Sequence, residues 1–367
     1  MIASLVLLTW LYLLLAHGRF WLSAPELAPA VPPEFPDVDI IVPARDEAQT
    51  IGIVTASLLD QDYGGRFHIT LVDDDSTDGT ARMAGTSARL SVIAGQAKPA
   101  GWSGKLWALN QGVAATAAPI LLLTDADVVH DPRHLSALVA RLYEPHVEMV
   151  SEMVRLHCRS RAERALVPAF VYFFQLLYPF ARVNDPRSRV AAAAGGTVLI
   201  RRDALQRIGG LDAIKGSLID DVALARKVKT VGAVYLGHSG LASSIREYPT
   251  VASIRQMIAR TAFTQLRYSV VLLALTLAGL AWVFLLPVGE MLFAHGWRRA
   301  LGLGAFAIAA LSYTPTLERY GRSRIWSLAL PLIAVFYMAA TVGSALDHVR
   351  GGGVRWKSRA YDAKSRS

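Results

Sequence analysis

Ile120-Leu121-Leu122-Leu123-Thr124-Asp125-Ala126-Asp127 sets four apolar residues in a row before a Thr and an Asp-x-Asp. A short apolar run that ends in acids reads as a buried strand of a parallel sheet, where ligands gather outside the carboxyl ends of the strands. Two carboxylates at such an end, Asp125 and Asp127, can hold Mg²⁺ or Mn²⁺, hard cations that keep oxygen ligands and bind diphosphates. Asp-x-Asp alone is common in surface loops. Its weight comes from what surrounds it.

Upstream, Leu71-Val72-Asp73-Asp74-Asp75-Ser76-Thr77-Asp78-Gly79-Thr80 is a second acidic turn behind a hydrophobic strand. Carboxylates there meet a ligand first, and can accept the N3–H of a uracil-type base and a ribose hydroxyl. The plainer reading is an Asx-type turn with a helix cap. A calcium loop fails, because its twelfth position would be Gly85 in place of a bidentate Glu. Downstream, Gly195-Gly196-Thr197 leads to Ser217-Leu218-Ile219-Asp220-Asp221-Val222-Ala223-Leu224. Asp220 and Asp221 open a helix, where its dipole favours carboxylate charge. One of them has the chemistry of a general base for an acceptor hydroxyl.

Several other chemistries are excluded. Gly104-Lys105 resembles the end of a P-loop, but Leu106 replaces the Ser or Thr and Pro99 stands where the first Gly belongs. No G-x-G-x-x-G follows a strand. His130, His134, His146, His157 and His238 show no H-E-x-x-H spacing. The one cysteine, Cys158, excludes an intrachain disulfide and a multi-cysteine zinc site.

Around these motifs the chain alternates between strand-like and helix-like stretches. Val38–Val42, Phe67–Val72, Ser91–Ile93, Ile120–Thr124, Val147–Val154 and Thr197–Arg201 read as strands. Helices are expected at Glu47–Leu59 and Lys105–Ala115. Residues 38–245 therefore suffice for one doubly wound α/β domain with a mixed, mostly parallel sheet. Of the 367 residues, 53% are hydrophobic and only 18% charged, a balance natural to a chain that faces lipid. Residues 1–22 read as a retained transmembrane anchor, since the first basic residue, Arg19, follows the apolar run. Residues 23–37 read as a linker. Residues 165–180 (ALVPAFVYFFQLLYPF), short and holding Pro168 and Pro179, fit an interfacial helix. Residues 246–268 form an interfacial amphipathic segment, 269–346 the C-terminal transmembrane helices and 347–367 a basic tail.

Two topology rules conflict. One anchor and three spans put that tail outside, whereas Arg350, Arg355, Lys357, Arg359, Lys364 and Arg366 favour the cytoplasm. A shallow or re-entrant Ala300–Pro315 restores agreement. The net charge of +9 suits an anionic membrane surface. Nucleic acid is not expected as a partner, because aromatics do not interleave with the basic residues. No protein partner can be inferred.

Together these residues resemble the family 2 glycosyltransferases. Ile41-Val42-Pro43-Ala44-Arg45-Asp46-Glu47 is similar to the family's opening strand and loop, Asp73 to Thr80 to its nucleotide-binding acids, and Asp125-Ala126-Asp127 to its metal motif. Lys105-Leu106-Trp107-Ala108-Leu109-Asn110 resembles its Lys-x-x-Ala-Leu-Asn segment, and Asp220-Asp221 its Glu-Asp pair. Gly101 to Ala108, Arg260 to Tyr268 and Trp356 to Arg359 look most like the hopanoid-biosynthesis-associated branch, itself related to ceramide glucosyltransferases and carotenoid-pathway transferases. The family's Gln-x-x-Arg-Trp is altered to Gln265-Leu266-Arg267-Tyr268, and Asp220 replaces Glu.

The resemblance implies a GT-A-like nucleotide-diphospho-sugar transferase fold and a metal-dependent, inverting reaction. Its donor is a nucleotide sugar and its acceptor a lipid. It further implies a multi-pass protein of the bacterial inner membrane with a cytoplasmic catalytic domain. Asp221 is the expected base. Pro43, Arg45, Glu47, Asp73, Asp74, Lys105, Asp125, Gln265 and Arg267 are expected at the donor, and Asp125 with Asp127 at the metal. The alternative of a different class is a catalytically silent lipid-handling or scaffold protein that keeps this fold.

Overall fold

Buried strands need apolar side chains on both faces, and the runs at residues 38–44, 67–73 and 120–124 supply them. In the computed structural model, which describes residues 1–350 and the backbone of 355–356 and 359–360, these runs form adjacent parallel strands. The strands in chain order are β1 (Glu26–Leu27), β2 (Val38–Ala44), β3 (Phe67–Asp73), β4 (Leu90–Ala94), β5 (Ile120–Thr124), β6 (Val128–His130), β7 (Val147–Arg155), β8 (Thr197–Arg201) and β9 (Ala233–Ser244). They make one sheet in the order β1-β9-β7-β8-β5-β2-β3-β4, with β6 added to β9. Strand β8 runs antiparallel to both β5 and β7, and β6 antiparallel to β9; the other pairings are parallel.

Alternation along each strand feeds two cores. Ile40, Val42, Ile69, Leu71 and Leu122 pack in one core with Val54 and Leu58 of helix Ile51–Leu59 and Leu135 and Leu138 of helix His134–Leu142. Ile41 and Val72 face the other way, toward helix Gly104–Ala114. That helix comes close through Gly112, where a Cβ would lie 2.3 Å from Ile41 Cγ2. Each fully buried Leu or Ile in these cores is worth about 1.5–3 kcal/mol. Helices on both faces of a mixed, mostly parallel sheet make this the doubly wound α/β fold expected from the strand pattern, and the GT-A-like fold that the resemblance implies.

Some boundaries move. The first helix starts at Ile51 and not at Glu47, because Asp46 takes a positive φ of 50° and the Glu47 N–H is bonded to Thr80 Oγ1. Residues 23–37 are not wholly a spacer, since β1 pairs in parallel with β9, Glu26 opposite His238. The expected domain at 38–245 is interrupted. Chain contacts group Ala24–His157 with Arg182–Arg246 as the sheet unit, while Cys158–Ala181 joins Met1–Ser23 and the chain from Glu247 to Arg350 in a helical unit.

In the helical unit, the stretch expected at 165–180 is helix Arg161–Leu177, opened by a capping box between Ser160 and Glu163. Tyr172 Oη meets Ser312 Oγ at 2.7 Å, and Tyr337 Oη donates to the Leu166 carbonyl at 2.9 Å. The N-terminal helix covers only Ile2–Leu15, about 21 Å long, so it is shorter than the anchor expected at 1–22. Its Trp10 indole donates to the Val283 carbonyl at 2.7 Å.

Val270–Phe293, Trp297–Arg319 and Arg324–Val349 are each long and apolar enough to cross a membrane. Ala300–Pro315 thus lies inside a helix of 23 residues, longer than a shallow or re-entrant segment requires. The amphipathic segment forms helix Val251–Gln265. Lys357, Lys364 and Arg366 of the basic tail, and the side chains of Arg355, Trp356 and Arg359, lie outside the described residues.

Candidate active site

Strand register collects the acids at one edge. β2, β3 and β5 are parallel and end together, with Ala44 opposite Asp73, so Arg45, Asp73 and Asp125 all leave the sheet at its carboxyl edge. β8 enters from that edge, with Thr197 opposite Thr124. Gly195 and Gly196 therefore lie beside the Asp-x-Asp, and the Gly196 carbonyl accepts the Asp125 N–H at 3.1 Å.

Lys105, Thr124, Asp125, Gly195, Asp220 and Asp221 line one small cavity of ≈ 30 Å³. Lys105 enters it from the first turn of helix Gly104–Ala114, whose cap is Ser103. Its Nζ lies 2.6 Å from Asp125 Oδ1 and 3.4 Å from the Gly195 carbonyl. The ammonium expected to face a phosphate is thus engaged with Asp125. Burial works against its charge, but Asp125 and then Asp220 more than offset it, so the Lys105 pKa is raised.

Asp221 sits in the first turn of helix Asp220–Val228. Its Oδ2 accepts the Gly195 N–H at 2.8 Å and its Oδ1 accepts the Val222 N–H at 2.7 Å. Burial, and next the charge of Asp220, push its pKa up to about 7, while Lys105 pulls it down. Asp221 and Asp125, nearly a hundred residues apart, thus line one cavity.

The acidic turn is divided in its work. Asp73 ends β3 and accepts the Ser76 N–H through Oδ1. Asp74 is fully buried, and Arg45 Nη1 lies 3.6 Å from its carboxylate and donates to its carbonyl. Asp78 caps, taking the N–H groups of Thr80 and Ala48. Pro43 lies within β2 opposite Val72. Glu47 and Asp127 both bond Arg246, just past β9, a residue the sequence reading missed. Its strand, Ala233–Ser244, carries Gly237, Gly240 and four serines or histidines, which hide the two-residue period. Gln265 and Arg267 belong to the helical unit, where the Gln265 amide donates to Tyr178 Oη and Arg267 takes a positive φ of 52° in the turn after helix Val251–Gln265.

The donor set fits a divalent cation. Asp125 and Asp127 are hard oxygen ligands two residues apart, and burial followed by the Asp125 charge raises the Asp127 pKa despite Arg246. Of these causes, the Asp125 charge is one that a second cation would offset. No cluster of three or more His, Cys, Asp or Glu able to hold a metal occurs among the described residues. Mg²⁺ and Mn²⁺ suit such a place, completing their shells with water and substrate phosphates.

Residues 36–261 match the model of a family described as glycosyltransferase like family 2. A beta-monoglucosyldiacylglycerol synthase of Synechocystis sp. is 27% identical over 224 residues, 56% of this chain and 44% of that protein, so the chain spans less than half of that relative's length. A 4,4'-diaponeurosporenoate glycosyltransferase of Staphylococcus aureus is 24% identical over 344 residues, 88% of this chain and 87% of that one. Among solved structures, a mannosyltransferase of Pyrobaculum calidifontis in complex with GDP-Man and Mn²⁺ has the same fold, at a TM-score of 0.56 and 21% identity, covering 98% of this chain and 100% of that one. With more than half of its length matched by the family model, and with the acids of that family gathered at one sheet edge, the chain belongs to the glycosyltransferase-like family 2.

Proposed function

We propose that this chain is a membrane-bound, inverting glycosyltransferase that moves a sugar from a nucleotide-diphosphate sugar to the hydroxyl of a lipid. The observation that carries the reading is the convergence of Asp125, Lys105 and Asp221 on one cavity at the carboxyl edge of the sheet. Family membership supports glycosyl transfer. Two relatives named for a glucosyldiacylglycerol and a diaponeurosporenoate support a lipid acceptor. Three helices long and apolar enough to cross a membrane support attachment to one. Within that class, a hopanoid is the acceptor that the sequence resemblance singles out. The same resemblance supports an inner-membrane protein with a cytoplasmic sheet unit.

The reaction is a single displacement. Asp221 accepts the proton of the acceptor hydroxyl as its oxygen bonds the anomeric carbon, while the bond from that carbon to the diphosphate oxygen breaks. A carboxyl titrating near 7 is suited to a base at neutral pH. Asp125 and Asp127 would hold the divalent metal, which supplies positive charge for the leaving diphosphate. Lys105 adds a fixed cation beside them. Asp73 holds the nucleoside, while the buried Asp74 and Arg45 brace its turn and Pro43 and Glu47 shape the neighbouring loop. For Gln265 and Arg267 a donor role rests on the sequence resemblance alone.

The test is release of free nucleoside diphosphate from a panel of nucleotide sugars, with lipid acceptors, with and without Mn²⁺. Metal-dependent release with a glycolipid product is expected. Release of pyrophosphate would mean a nucleotidyltransferase, and no turnover with any donor would mean a silent scaffold. Either result overturns the reading.

A further inference from the structure

Behind the cavity runs a buried polar chain that the reaction does not use. Thr124 Oγ1 lies 3.1 Å from His130 Nε2, and His130 Nδ1 lies 2.8 Å from His134 Nδ1. His134 Nε2 then bonds Glu152 Oε1. All four side chains are buried. They come from the end of β5, from β6, from helix His134–Leu142 and from the middle of β7.

Donor counting fixes the direction of this chain. A carbonyl only accepts, and Thr124 Oγ1 is 3.0 Å from the Gly196 carbonyl, so the hydroxyl gives its one proton there. The Thr124 oxygen must therefore receive an N–H from His130 Nε2. Burial, and then the neighbouring His134, push the His130 pKa well below its usual value, so its imidazole is neutral. Its Nδ1 is then a lone pair, which takes the Nδ1–H of His134. The other ring nitrogen of His134 bonds Glu152 Oε1. The His134 Nδ1–H, the His130 Nε2–H and the Thr124 hydroxyl thus all point toward Gly196.

The far end of the chain is the transfer site. The Gly196 carbonyl takes the Thr124 hydroxyl and the Asp125 N–H. The adjoining Gly195 donates its N–H to Asp221, and its carbonyl accepts from Lys105 Nζ. Two glycines have little stiffness of their own. We infer that His130 and His134 are positioning residues: through Thr124 they hold the Gly195–Gly196 peptides, and so the placement of Asp125 and Asp221. The part that concerns Asp221 rests on the function proposed above.

The experiment uses the full-length protein and the most active nucleotide sugar of the panel. Thr124→Val, nearly isosteric, and His130→Phe should each lower kcat about 10- to 100-fold, the scale of a small misplacement of catalytic groups. KM for the donor should change far less. Because both cut one chain, the double variant should be no slower than the slower single one. Effects that multiply, or an unchanged kcat in Thr124→Val, would overturn the inference even if His130→Phe fails to fold. Nitrogen-15 NMR of labelled histidine gives a readout independent of turnover. His130 should carry its proton on Nε2 at neutral pH, and a proton on Nδ1 refutes the chain. If Asp221→Asn transfers normally while the tautomer and the non-additivity hold, the base is wrong and the positioning role stands.

Discussion

Lys105 and Asp125 meet in a 2.6 Å contact between ammonium Nζ and carboxylate Oδ1, on the wall of the cavity that Asp221 also lines. One cation therefore serves two acids. It neutralises part of the Asp-x-Asp charge, and from the same place it holds down the pKa of Asp221.

Removing that cation should shift the pH dependence of transfer. The base must be ionised, so the parent rate should rise with pH through about 7 and then level. In Lys105→Met the positive charge that favours the Asp221 carboxylate is gone, and the rising limb should move to higher pH. A pH profile of kcat checks this. A limb left in place would separate Lys105 from the base.

Asp221→Asn should keep nucleoside diphosphate binding and lose about 10²- to 10⁴-fold in turnover, because Asn fills the space but takes no proton. It should also change stability in a definite direction. The folded-state pKa of about 7 lies above the ordinary 3.8, so protonation favours the fold. That contribution is complete below about 3.8 and is lost as pH rises through 7. Thermal melts from pH 4 to 8 should show the parent losing stability relative to the variant.

Asp127→Ala should abolish divalent-dependent binding of a nucleoside diphosphate while the protein stays folded. Titration calorimetry with and without Mn²⁺ measures it. Parental affinity in the variant would remove Asp127 from the metal site.

Arg246→Leu leaves Glu47 and Asp127, both buried, without the guanidinium that joins them. Unpaired buried carboxylates destabilise, so the melting temperature should fall. Added Mn²⁺ should then raise it by more than in the parent, because the ion now supplies the missing positive charge. An equal increment in both proteins would place the metal elsewhere.

The strand ends were legible in the chain itself. A strand buried on both faces reads as a near-continuous apolar run, so Ile120–Leu123 followed by Asp125 and Leu71–Val72 followed by Asp73 announce both the sheet and its ligand edge. The long apolar helices were legible for a similar reason. Local pattern says nothing of partners. β1 is two residues long and carries no period, and β9 is masked by small and polar residues, so the edge that brings Arg246 to Asp127 was invisible. Asp73 and Asp74 are neighbours with the same chemistry, yet burial commits Asp74 to Arg45. Only the antiparallel register of β8 against β5 sets Gly195 between Lys105 and Asp221, and only the packing of β6 and β7 lines up Thr124, His130, His134 and Glu152. The sequence by itself determined which groups can do chemistry, because residue type and short-range periodicity are local. Tertiary structure decided which of them meet, because side-chain distances and burial depend on strand order and register between segments far apart in the chain.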